Sequence, residues 1–89
     1  MGLAQSFKFH HQNTNEIEAF LAEFCTSFKY DHDGQLWVIR EYNGKTMTFE
    51  LAVEEYGLYT HRAGEYFEAL GLLLERLTGE FGKVEVDDL

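Results

Sequence analysis

The dipeptide Asn43-Gly44, set between two stretches of alternating side chains, constrains this chain more than any other feature. A two-residue hairpin loop needs positive φ at both central positions, which asparagine and glycine tolerate better than other residues. With this pair as the loop, Tyr42 faces Lys45, and counting outward pairs Val38 with Phe49, Trp37 with Glu50 and Leu36 with Leu51. Successive side chains of a strand point to opposite faces, so Leu36, Val38, Met47, Phe49, Leu51 and Val53 share one face and define a core. Trp37 and Ile39 fall on the other face beside Thr48, Glu50 and Ala52, where they are expected to be exposed unless the 54–61 segment or the N-terminal arm covers them.

Around this hairpin the periodicities place four more elements. Ser6 to His10 alternates as a short strand, with Phe7 and Phe9 on one side. Ile17, Phe20, Leu21, Phe24 and Phe28 recur at helical spacing, and Asn15 with Glu18 resembles a capping box, which predicts a helix over about 16 to 28. Asp31-His32-Asp33-Gly34 reads as a turn cluster. The alternation slips between Glu54 and Gly57, which suggests a bulge, or else a turn, before Leu58-Tyr59-Thr60. A second helix is predicted from about Gly64 to Thr78, its buried stripe made of Tyr66, Phe67, Leu70, Leu73, Leu74 and Leu77 and its stop at Gly79. Val84 and Val86 mark a last strand.

The order is then β-α-β-β-α-β, the ferredoxin-like arrangement of two helices packed on one face of an antiparallel sheet. A three-stranded β-meander flanked by helices is the alternative. Residues 1 to 89 are expected to form a single compact domain, with 1 to 5 as a flexible N-terminus, because this length supports one core and not two.

Charge excludes several functions. Seven Lys and Arg against sixteen Asp and Glu leave a net charge of −9, which repels nucleic-acid phosphates and anionic lipid headgroups and attracts basic surfaces. No apolar run approaches the roughly 20 residues of a membrane span. Met1-Gly2-Leu3-Ala4-Gln5-Ser6 matches the short N-myristoylation template at Gly2, but only Lys8 is available nearby as a second, basic anchor. Cys25 is the sole cysteine, so no intrachain disulfide forms and a cytoplasmic location is expected.

Catalytic constellations are not readable, and no cofactor is expected. No glycine-rich loop precedes the first helix to cradle a phosphate. His10 and His11, as strand neighbours, cannot both join one metal site, and aligning Gly34 to a calcium loop puts Lys29 and Arg40 where carboxylates are needed. Thr60-His61-Arg62-Ala63-Gly64-Glu65 combines a base, a guanidinium and a carboxylate, but polar residues before a helix are explained by capping alone. A small hydrolase or a His/Asp metal site is the remaining enzymatic alternative.

Two surfaces stand out. Leu72 is placed on the outer side of the second helix with Glu65, Glu68 and Glu75, an apolar anchor inside an acidic ring. Trp37 and Ile39 form the other candidate, on the uncovered sheet face. The expected function is that of an acidic protein-binding domain that occludes a basic partner, as an inhibitor, an immunity protein or a mimic of nucleic-acid charge does. The rival is a homodimeric structural or regulatory domain paired through the Trp37 face.

Overall fold

The computed structural model describes residues 2 to 89. Among them, six strands and two helices follow in the order β1 (Leu3–Phe9), α1 (Thr14–Phe24), β2 (Lys29–Asp33), β3 (Leu36–Tyr42), β4 (Lys45–Glu54), β5 (Gly57–Gly64), α2 (Phe67–Phe81) and β6 (Val84–Asp88), with a single 3-10 turn at Cys25–Ser27. They form one sheet in the order β2-β3-β4-β5-β1-β6, every neighbouring pair antiparallel. β2 to β5 make a meander, β1 pairs with its last strand, and β5-α2-β6 is a crossover that leaves β1 between its two strands.

This is not the ferredoxin-like β-α-β-β-α-β arrangement, and two local features account for the difference. The segment Lys29–Asp33, of which Asp31, His32 and Asp33 are expected in a turn cluster with Gly34, is a strand, because Tyr30 and His32 stack on Trp37 with ring centroids 5.8 and 3.5 Å away. Its aspartates conceal it: Asp31 faces the other side and pairs with Arg40 at 2.9 Å. The slip near Glu54 is a tight turn through Glu55 and Tyr56, not a bulge, and the chain reverses at Gly57 into a separate strand. Gly57 has φ 146°, and a Cβ there would stand 2.2 Å from the Phe7 carbonyl oxygen, so only glycine lets β5 approach β1 this closely.

Asn43 (φ 53°) and Gly44 (φ 78°) do form the two-residue loop, and Tyr42 faces Lys45. Beyond Arg40, however, the β3–β4 register shifts by one: Ile39 pairs with Phe49, Val38 with Glu50, Trp37 with Leu51 and Leu36 with Ala52. A one-residue slip exchanges the faces of a strand. Trp37 and Ile39 therefore point into the core, 4% and 0% exposed, whereas Val38 faces away from it and Leu36 is exposed. Burying Trp and Ile removes more apolar surface from water than burying Leu and Val, which is the physical reason for the slip.

Both helices cover the same face of the sheet. Ile17, Phe20, Leu21 and Phe24 of α1 and Ala69, Leu73 and Leu77 of α2 join Phe7, Phe49, Leu51 and Leu58 in one core. Phe81 closes the seam, 5.8 Å from the Phe20 ring and 4.7 Å from that of Phe9. The cap of α1 is Asn13, whose side chain accepts from the Glu16 backbone N–H, two residues ahead of the expected Asn15. α2 runs past Gly79 and ends at Gly82, which takes φ 80°. Of the N-terminal segment 1–5, Leu3, Ala4 and Gln5 lie in β1 and pair with Arg62, His61 and Thr60. Met1 lies outside the described residues. Among the described residues, no helix is long and apolar enough to cross a membrane.

Candidate protein-docking site

α2 buries one narrow stripe, Ala69, Leu73 and Leu77, at a spacing of four. Phe67 lies about 200° around the helix from Ala69 and so faces away from the core. It is 74% exposed, the most exposed of the large apolar side chains among the described residues. Its ring stacks on Tyr66 with centroids 4.6 Å apart and planes 26° from parallel. Tyr66, half-buried at the helix N-cap, meets Phe49 edge-on at 6.2 Å and so ties this aromatic pair to the core.

Shallow grooves flank Phe67 on two sides. One, of about 330 Å3, is lined by Lys45, Gly64, Glu65, Phe67 and Glu68. The other, of about 360 Å3, runs along the helix and is lined by Tyr42, Phe67, Glu68, Gly71, Leu72 and Glu75. Gly71 gives the second its floor, since a Cβ there would meet nothing within 4 Å. Glu68 lies between the grooves and accepts a hydrogen bond from the Lys45 ammonium. That bond holds the Lys45 amine above its usual range and the Glu68 carboxyl below its own, so both are charged at neutral pH. Glu65 and Glu75 take part in none of the ion pairs among the described residues.

Four of the six residues expected at partner surfaces thus converge here. Glu65, Glu68 and Glu75 are exposed, and Leu72 lines the helix-side groove, although it is half-buried against the core and not a free anchor. Trp37 and Ile39 do not take part, being core residues, and pairing of two copies through an exposed Trp37 is not available to this fold. Phe67 is the residue that periodicity missed. The periodicity places Phe67 in the buried stripe, but the small Ala69 occupies the buried position and sets the phase of the helix, which turns Phe67 outward.

The other candidates disperse. Thr60 and Arg62 point inward while His61 points outward and faces Glu50 of β4, so the 60–65 segment is not one site. His32 stacks on Trp37 and His11 rests against the Phe9 carbonyl oxygen. No group of three or more metal-ligating side chains gathers among the described residues. Cys25 is fully buried, and desolvation pushes its thiol pKa up to about 12, which makes it a poor nucleophile. Gly2 packs against the imidazole of His61, where a Cβ would come within 2.5 Å of Nε2.

Comparison with known proteins adds nothing to this geometry: no protein-family model, no curated protein and no solved structure matches the chain.

Proposed function

We propose that this chain is an acidic protein-binding domain that acts by covering a basic surface of another protein, with Phe67 as the anchor. The observation that carries this reading is the 74% exposure of a Phe whose ring is stacked in place and fringed by carboxylates. An aromatic anchor contributes affinity when it enters an apolar socket, and surrounding charges contribute encounter rate and choice of partner. Glu65, Glu68 and Glu75 make that partner one with Lys or Arg around the socket. The same carboxylates disfavour docking on anionic lipid. Action in the reducing cytoplasm belongs to this reading, since the one thiol is buried and unpaired.

The test is photo-crosslinking from position 67, with benzoylphenylalanine in place of Phe67, followed by kinetics on the purified partner. Expected is one basic protein, captured in competition with the unmodified chain, whose association slows as salt screens the carboxylates. Binding that survives both Phe67→Ala and the joint Glu65→Gln, Glu75→Gln change would refute the assignment.

A further inference from the structure

β5 carries an anomaly beside this patch. Arg62 is 2% exposed on the core face of the sheet, opposite Leu3 on one side and Phe49 on the other. None of the ion pairs among the described residues includes it. Its polar partners are neutral: one terminal nitrogen donates to Gln5 Oε1 at 2.6 Å, the other to Thr60 Oγ1 at 3.4 Å, and Nε finds no acceptor. The nearest carboxylate in this network is Asp88, reached only through the Gln5 amide, which donates to it at 2.6 Å. A guanidinium buried without a counter-charge is costly, and an apolar side chain of similar volume often serves a core as well or better.

What the guanidinium has instead is three rings. Its central carbon lies 5.0 Å from the centroid of Tyr66, 5.9 Å from Phe49 and 6.0 Å from Phe7. The closest is the ring on which Phe67 stacks. A continuous pile results: the buried cation, the half-buried Tyr66 and the exposed Phe67. Cation–π attraction has a directional preference for the ring face that a methylene contact lacks. We infer that Arg62 is the positioning residue of the docking patch, holding Tyr66 so that Phe67 is ordered before any partner arrives. A pre-ordered anchor loses less entropy on binding, which is the advantage a costly buried charge would provide.

This inference rests on the docking reading, but its test does not use a partner. Site-specific 3-fluorophenylalanine at position 67 of the full chain reports ring motion by 19F relaxation, and urea unfolding reports stability. For Arg62→Met, the stability midpoint is expected to hold or rise while the 19F transverse relaxation rate falls roughly twofold as fast ring motion sets in. A role in packing alone lowers the midpoint and leaves the ring unchanged. Arg62→Lys, which keeps a cation near the ring, is expected to restore part of the order. Should Arg62→Met fail to fold, Tyr66→Leu removes the intermediate ring and leaves Arg62 in place, and it too should free Phe67. Unchanged relaxation at position 67 in a folded Arg62→Met or Tyr66→Leu protein overturns the inference. Loss of docking reading alone, with the ring still ordered by Arg62, appears instead as partner binding indifferent to Phe67→Ala.

Discussion

Ile39 lies directly opposite Phe49, and the two are fully buried on the core face of the sheet, one step out of the register that Tyr42 and Lys45 keep at the turn. The step is taken at Arg40, where β4 places Met47 and Thr48 against a single residue of β3. It decides which half of β3 is core. Replacing Ile39 by Ala should therefore cost about 2 to 5 kcal/mol in urea unfolding, whereas Leu36→Ala should cost less than about 1 kcal/mol. Trp37→Glu should unfold the chain. Equal costs at 36 and 39 would mean that the unslipped register is the populated one.

The glycines divide into two groups, and substitution should separate them. Gly71 and Gly79 lie within α2, and a Cβ at either meets nothing within 4 Å. Gly71→Ala and Gly79→Ala should each raise stability by about 0.5 to 1 kcal/mol, because alanine loses less backbone entropy in a helix. Gly57→Ala should lose at least about 2 kcal/mol, since its φ of 146° is denied to alanine and the new methyl group would meet the Phe7 carbonyl. Thermal or urea midpoints of the three single variants check this directly.

Cys25 should make stability fall at high pH. Burial raises its pKa from 9.0 to about 12, so the folded chain keeps the thiol proton over a range in which the unfolded chain gives it up. A raised acid pKa contributes stability that is complete below the unfolded value and lost as pH rises through the interval up to the folded one. Between about pH 9 and 12 the thiol should therefore remove up to about 1.4 kcal/mol of stability per pH unit. Other groups titrate there as well, so the measured quantity is the difference between the native chain and Cys25→Ala, which should narrow as pH rises. Native protein at pH 8 should also leave a thiol reagent unreacted until it is unfolded.

What periodicity reveals in this chain, and what it hides, follows from the range of the forces involved. The Asn43-Gly44 loop is a local steric matter, and the α1 stripe of Ile17, Phe20, Leu21 and Phe24 is a repeat within one helix, so both are legible. The slip at Arg40 is not, because it is selected by burial of Trp37 beneath Tyr30 and His32, residues that only the folded sheet brings to its side. β2 is hidden for the same reason. Its charged composition resembles a turn, while its strand character comes from the aromatic platform it covers. At the proposed docking patch the acidic residues are plain in the sequence, yet the proposed anchor is not: Phe67 and Ala69 exchange the places that size alone would assign to them.

Phe67 itself should be dispensable for folding and indispensable for docking. Its side chain is mostly in water and contributes little to the core, so Phe67→Ala should move the unfolding midpoint by less than about 0.5 kcal/mol. Toward the crosslinked partner the same change should cost about 2 kcal/mol or more, roughly thirtyfold in Kd, as truncation of a central aromatic anchor does. Gly71→Trp offers an independent check from the opposite direction. A Cβ at Gly71 would meet nothing within 4 Å, so the added side chain is expected to leave the fold in place and to enter the groove beside Leu72 and Glu75. Affinity should fall although no contact has been removed. If Phe67→Ala weakens binding and Gly71→Trp does not, the partner seats on the Glu65 and Gly64 side of the anchor, and Lys45 rather than Leu72 borders its footprint.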